Sequence, residues 1–127
     1  MLALGCGKSG PTATVRGKVA YKGKPVDSGR VVLFPTTGVV CSGRLGSDGS
    51  FVVHNREQDE EIPIGTYKVA VVAGLEQINL QGVEPRVPLK FTSASTTPLE
   101  HNFNEGPHDI TISLDEPPSV KANSTDM

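Results

Sequence analysis

Apolar and polar residues alternate over short runs along most of the chain. This period of two is typical of half-buried β-strands, because successive side chains of a strand point to opposite faces. Seven such runs predict strands over residues 14–22, 29–35, 39–45, 51–54, 66–73, 99–103 and 108–114. No apolar stripe with helical spacing extends over about ten residues or more. The pattern therefore predicts an all-β fold.

Two of the predicted strands also indicate their place in a sheet. In the first, Val15 and Val19 share one face, whereas Arg16 and Lys18 lie on the opposite face. We therefore expect this strand to cover a core with one side and to face solvent with the other. The strand over residues 29–35 has apolar residues on both faces near its end. That composition favours a central position in its sheet.

The phase of the alternation assigns nine side chains to the core. They are Val19, Val31, Leu33, Phe51, Tyr67, Val69, Val71, Ile110 and Ile112. The dipeptide Asp48-Gly49 stands between the third and fourth predicted strands, and glycine readily takes the positive φ that tight turns require. We therefore expect these two strands to pair as an antiparallel hairpin.

The 127 residues of the chain fit a single domain. We expect a truncated signal remnant and flexible tether over residues 1–13, the domain over residues 14–115, and a disordered tail over residues 116–127. Fourteen glycines and ten prolines allow turns at a spacing typical of an antiparallel β-sandwich. Residues 74–97 lack clear alternation and are predicted as a long connection. The absence of tryptophan disfavours an immunoglobulin sandwich.

The charges of the chain nearly balance, with 12 basic and 14 acidic residues and a formal net charge of −2. The sequence contains no cluster of basic residues of the kind that neutralises nucleic-acid phosphates. We therefore expect no nucleic-acid partner. No apolar run reaches the length of about 18 residues that a membrane-spanning helix needs, so the polypeptide itself is not expected to cross a bilayer.

Small and apolar residues lead to Cys6 in the segment LALGCG at residues 2–7. The segment is similar to the end of a bacterial lipoprotein signal, in which the cysteine becomes lipidated. A full secretory signal also has a basic region and a longer apolar region, so we expect the native precursor to begin upstream of Met1. Residues 7–12 have the small, polar composition of a tether. The alternative is an unmodified Cys6 thiol in a disordered leader.

Four longer segments carry a resemblance to a known family. They are VRGKVAYKGKPVDSGRVVLFP at residues 15–35, SDGSF at 47–51, IPIGTYKVAVV at 62–72 and VPLKFTSASTTPLEHNFNEGPHDITISL at 87–114. In order and spacing they resemble small bacterial lipoproteins that contain a carboxypeptidase-regulatory-like, transthyretin-like domain. The resemblance covers most of the predicted domain.

The resemblance implies a seven-stranded, transthyretin-like (prealbumin-like) Greek-key β-sandwich. Members usually carry a lipidated N-terminal cysteine, which implies lipidation of Cys6 and an extracytoplasmic, membrane-anchored location in the cell envelope. Such domains resemble the non-catalytic appendage of metallocarboxypeptidases, a folding or interaction module. The similar hydroxyisourate hydrolases use histidines, an arginine and a C-terminal Tyr-Arg-Gly-Ser sequence, and this ending is absent here.

The chain offers few candidates for catalysis or metal binding. His54, His101 and His108 are possible ligands of zinc or copper, but their spacing is unlike that of a metal motif, and structural or solvent-facing roles are expected. Cys41 lies within an apolar run and is expected to be buried. The acidic residues within 57–61 lack the spacing and glycine of a calcium loop. We expect a solvated loop there, and no catalytic, metal or cofactor site.

The sequence thus favours a non-enzymatic, lipid-anchored structural or binding module of the cell envelope, with an envelope protein or a glycan as a possible partner. One alternative is a hydrolase of the hydroxyisourate-hydrolase or metal-dependent kind, for which two or more histidines should share a pocket with an arginine. The other is a peptide or glycan receptor, which an exposed aromatic platform or an open edge strand would favour.

Overall fold

The computed structural model describes residues 11–36, 38–72 and 88–122 of the chain. These residues form ten strands and one short 3₁₀ helix. The strands are β1 (Thr12–Tyr21), β2 (Lys24–Pro25), β3 (Arg30–Pro35), β4 (Cys41–Arg44), β5 (Ser50–Val52), β6 (Glu61–Pro63), β7 (Gly65–Val72), β8 (Glu100–Phe103), β9 (Gly106–Ser113) and β10 (Ser119–Ala122). The 3₁₀ helix spans Leu89–Thr92.

The strands form two sheets that enclose one hydrophobic core. The six-stranded sheet has the order β10-β9-β1-β2, and β5 and β6 also pair with β1. The four-stranded sheet has the order β4-β3-β7-β8, so that β3 is central, as predicted. The all-β prediction is confirmed. Two antiparallel-rich sheets around one core agree with a β-sandwich.

One pair of strands departs from the purely antiparallel arrangement that the sequence predicts. Strands β1 and β9 run parallel, in a register that extends from Ala13 opposite Gly106 to Ala20 opposite Ser113. The prediction was wrong at this pair because a period of two reveals that a strand has a buried face, and says nothing about the direction of its neighbour.

Each of the seven predicted strands corresponds to a strand of the structure, and β2, β6 and β10 are additional. The prediction of a disordered tail over residues 116–127 is wrong for Ser119–Ala122, since these residues form β10 and pair antiparallel with β9. The half-buried Val120 packs against the core. A strand with a single sizeable apolar residue has too short a pattern to be recognised. Residues 123–127 lie outside the described residues.

All nine side chains assigned to the core are buried, and none is more than 3% exposed. The core also includes Phe91 of the 3₁₀ helix, which is fully buried and lies in the region predicted as a long connection. Nearby, the Thr97 hydroxyl donates a hydrogen bond of 2.7 Å to the Val69 carbonyl. The predicted connection is therefore partly core, and its residues 74–87 lie outside the described ranges.

The turn predicted at Asp48-Gly49 is present, with φ of 82° at Gly49. The hairpin that it was expected to close is reduced to one antiparallel bridge, Ser42 opposite His54. Strand β4 pairs with β3 in one sheet, and β5 pairs with β1 in the other. The chain therefore passes from one sheet to the other at this turn. The expected hairpin was wrong because alternation does not identify a strand's partner.

Candidate functional site

A cleft of about 780 Å³ lies where the β4 edge of one sheet meets the β5 edge of the other. Four basic side chains line it: Arg16 and Lys18 of β1, Arg30 of β3 and Arg44 of β4. One carboxylate, that of Asp109 in β9, lies with them. The cleft therefore has a positive net charge, and we refer to it below as the corner cleft.

Strand geometry explains why these cations face outward. Arg16 and Lys18 are exposed and alternate with buried residues of β1. Arg30 and Arg44 are exposed in the same way beside Val31 and Gly43, which are buried. Since successive side chains of a strand alternate between its faces, burial of the neighbours turns each cation toward solvent.

Gly43 allows the two edges to approach closely enough to form the corner. A Cβ atom at Gly43 would lie 2.2 Å from the Val52 carbonyl oxygen. Next to this close approach, two backbone hydrogen bonds join Ser42 and His54. The N–H of Ser42 donates to the His54 carbonyl at 3.1 Å, and the N–H of His54 donates to the Ser42 carbonyl at 2.8 Å. The corner cleft therefore rests on a backbone crossing that excludes a side chain at Gly43.

Arg30 and Arg44 are the least compensated charges of the corner cleft. They are directly opposite each other in the β3–β4 register, an arrangement in which like charges repel. Neither side chain has a hydrogen bond or an ion pair within the described residues. Their guanidinium groups are therefore available to an external anion, which they can hold by two parallel hydrogen bonds each.

Arg16 is only weakly neutralised by its neighbour. Its Nε lies 3.8 Å from Asp109 Oδ2, and the two side chains are 72% and 47% exposed. An exposed ion pair of this kind contributes about 1 kcal/mol or less. Arg16 can therefore turn toward an anion in the corner cleft at little cost.

The turn beneath the corner cleft is held by Asp48. Its Oδ1 accepts hydrogen bonds from the Ser50 hydroxyl at 2.6 Å and from the Ser50 N–H at 3.1 Å. These hydrogen bonds, and to a lesser extent the positive charge of Lys18, lower the pKa of Asp48. The carboxylate thus stays ionised and fixes the path between β4 and β5.

The acidic loop beside the corner cleft is organised by Asn55. The Asn55 side-chain oxygen accepts hydrogen bonds from the N–H groups of Glu57 and Asp59, at 2.8 and 3.1 Å. Its side-chain amide donates to the Glu61 carbonyl at 2.8 Å. The acidic side chains of residues 57–61 are exposed, which fits the solvated loop that the sequence predicts.

The three histidines lie in two places. His54 lines the corner cleft, with its Nε2 3.9 Å from Glu60 Oε2. The rings of His101 and His108 lie beside Phe103, with centroids 4.8 and 5.2 Å from its centroid. Burial, and secondarily the charge of His108, lower the pKa of His101.

Of the three histidines, His54 alone lines the corner cleft together with the arginines. Across residues 11–36, 38–72 and 88–122, no three His, Cys, Asp or Glu side chains are grouped so as to hold a metal ion. Two or more histidines sharing a pocket with an arginine, the feature expected of the alternative hydrolase, are therefore not found at this cleft.

Cys41 is buried, as expected. Its burial raises the pKa of the thiol, which keeps the group protonated and a poor nucleophile. Cys6, the predicted lipidation site, lies outside the described residues together with the rest of residues 1–10. In the part of the chain that the structure describes, no helix has the length and apolar character needed to span a bilayer.

The corner cleft was not predicted from the sequence, which shows no cluster of basic residues. Its four cations are spread over residues 16–44 and come together only through strand pairing. The alternation in β1 predicted that Arg16 and Lys18 face solvent. It did not predict which strand pairs with β1 beside them. The cleft presents guanidinium and ammonium groups, whose chemistry is to hold anions. No family model matches the chain, and a search of curated proteins likewise finds no match.

Proposed function

We propose that this chain is a non-enzymatic binding module of the cell envelope that holds an anionic ligand in the corner cleft. One observation carries the proposal: Arg30 and Arg44 are exposed, directly opposite in register, and without an anionic partner among the described residues. A bound anion attracts both guanidinium groups and so offsets their mutual repulsion. Arg16 and Lys18 extend the same positive surface.

The binding proposal is tested by calorimetric titration with dextran sulfate, with neutral dextran as the comparison. Dextran sulfate is expected to bind and dextran to leave no signal. The double variant Arg30→Gln/Arg44→Gln should weaken the affinity by about tenfold or more, since a hydrogen bond to a charged group contributes ~1.5–3 kcal/mol and ~1.4 kcal/mol is a factor of ten. Added salt should weaken binding further.

Arg56→Gln is the matched control, because Arg56 is exposed and does not line the corner cleft. The double variant should be at least as stable as the parent, since it relieves a like-charge pair. Absence of binding by the parent protein, or an equal loss in Arg56→Gln, would contradict the proposal.

The finer architecture is part of the same proposal. We take the sandwich to be transthyretin-like, with the Greek-key arrangement of that family. The four ordered sequence segments support this assignment, as does the match between the seven predicted strands and β1, β3, β4, β5, β7, β8 and β9.

The envelope location is proposed from the segment at residues 2–7, in which Cys6 would carry the lipid. Several acyl chains, at ~0.8 kcal/mol per buried methylene, would anchor the domain firmly. Mass spectrometry of the protein isolated from its native membrane should therefore find acyl chains on Cys6. An unmodified Cys6 in a soluble fraction would exclude the anchor without affecting the corner cleft.

A further inference from the structure

Four strands lie side by side across the corner, and their outward residues form one continuous surface. Strand β1 pairs with β5, and β4 pairs with β3. Between them, Gly43 of β4 lies against the Val52 carbonyl of β5, and Ser42 of β4 forms a bridge with His54, two residues after β5. The surface therefore runs in the order β1, β5, β4, β3. Paired strands are separated by ~4.8 Å, so that β4 lies at most about 10 Å from β1, and β3 at most about 14 Å from β1, across the corner.

The positive charges occupy the two ends of this surface. Arg16 and Lys18 lie at the β1 end, and Arg44 and Arg30 lie at the β4–β3 end. A ligand that engages both ends at once therefore needs anionic groups on either side of the strip, at a spacing on the order of this strand separation.

The strip between the two ends is neutral. Val52 of β5 stands opposite Arg16, and Ser50 stands opposite Lys18. Val52 is 36% exposed, a large apolar side chain facing the corner cleft. Ser42 of β4 completes the strip. A ligand group above this strip therefore meets a methyl surface and hydroxyl groups. His54 also lines the cleft, but its Nε2 already lies 3.9 Å from Glu60 Oε2.

Two side chains of the corner cleft have unused hydrogen-bonding capacity. The hydroxyl of Ser42 and the side-chain amide of Gln58 line the cleft and have no hydrogen-bond partner within the described residues. Both can donate to and accept from neutral hydroxyl groups. The centre of the cleft is thus suited to a hydroxyl-rich, uncharged group.

We infer that the ligand is an acidic polysaccharide in which acidic and neutral sugars alternate. This inference rests on the proposed function and specifies its ligand. Carboxylate or sulfate groups on alternate sugars would reach the two cationic ends, and the neutral sugar between them would lie on Val52, Ser42 and Gln58. A polyphosphate or polyglutamate has a charge on every unit, and the units above the neutral strip would lose hydration without gaining a partner.

The test compares four probes by calorimetric titration at one salt concentration. Hyaluronan oligosaccharides alternate a glucuronate with a neutral sugar, polyphosphate and polygalacturonate carry a charge on every unit, and dextran is neutral. Hyaluronan is expected to bind about tenfold more tightly than polyphosphate or polygalacturonate of equal total charge. Ser42→Ala should weaken hyaluronan binding by about fivefold, the effect of one neutral hydrogen bond of ~1 kcal/mol. The control Arg56→Gln, whose side chain does not line the corner cleft, should leave hyaluronan binding unchanged.

The outcomes separate the inference from the function on which it rests. If dextran sulfate binds through Arg30 and Arg44 while hyaluronan binds no more tightly than polyphosphate, the alternating polysaccharide is excluded and the anion-binding function stands. If hyaluronan binding is insensitive to Ser42→Ala, the neutral strip does not contact the ligand and the inference also fails. If no anionic probe binds, both proposals fail.

Discussion

Replacement of Val69 by aspartate is expected to unfold the domain. Val69 is 0% exposed and lies in β7, between β3 and β8. Its backbone is fully engaged, since its N–H donates to the Leu99 carbonyl at 3.0 Å and its carbonyl accepts from Thr97. A carboxylate at this position would be buried without a partner, at a cost of several kcal/mol. A loss of about 4 kcal/mol or more approaches the whole stability of a typical domain.

Far-ultraviolet circular dichroism during thermal melting measures this effect. The parent should melt in one transition, and Val69→Asp should show little or no folded signal. Lys68→Asp is the control on the same strand, because Lys68 is exposed and stands opposite Glu100. It should cost about 1 kcal/mol or less, from the new like-charge pair. A melting temperature for Val69→Asp within a degree or two of the parent would mean that Val69 does not face the core.

The second large effect is expected from Gly17→Ala in β1. A Cβ atom there would lie 2.0 Å from the Ile110 carbonyl oxygen and 2.9 Å from the Ile110 carbonyl carbon. Both contacts are to backbone, which cannot rotate away as a side chain can. The parallel β1–β9 register also holds the two strands together on both sides of this contact. We expect a loss of about 3 kcal/mol, at the upper end of the cost of overpacking.

Urea denaturation of the two glycine variants provides the comparison. Gly46→Ala is the matched control, because a Cβ atom at Gly46 would meet its nearest neighbour at an ordinary 3.5 Å. Gly46→Ala should stay within about 1 kcal/mol of the parent, the usual range for a substitution without a clash. Equal stability of the two variants would show that β1 and β9 are not in close contact at Gly17.

The sequence predicted the features of the fold that depend on local burial. Alternation located seven strands and nine core positions, since the period of two records which face of each strand is covered. It could not predict pairing, which depends on residues far apart in the chain. The parallel contact of β1 with β9 and the separation of β4 from β5 were both missed for this reason. Phe91 was missed because its 3₁₀ helix is too short to show a periodic pattern.

The corner cleft shows the same division between local and long-range information. The exposed phase of Arg16 and Lys18 follows from the pattern of β1 alone. Their proximity to Arg30 and Arg44 depends on β5, β4 and β3 lying next to one another in that order across the corner. Neither the composition nor the net charge shows which side chains lie together in the fold. A chain with a formal net charge of −2 can therefore carry a positively charged cleft.

The pairing of β1 also determines when the domain can fold. Strand β1 pairs with β2, β5, β6 and β9, and its longest ladder joins Ala13 to Gly106. Contacts between residues so distant in sequence raise the contact order, which slows folding because loop closure costs entropy before the contacts form. During synthesis, the edge of β1 that pairs with β9 therefore stays unpaired until β9 has left the ribosome, and the six-stranded sheet is complete only after β10 has followed.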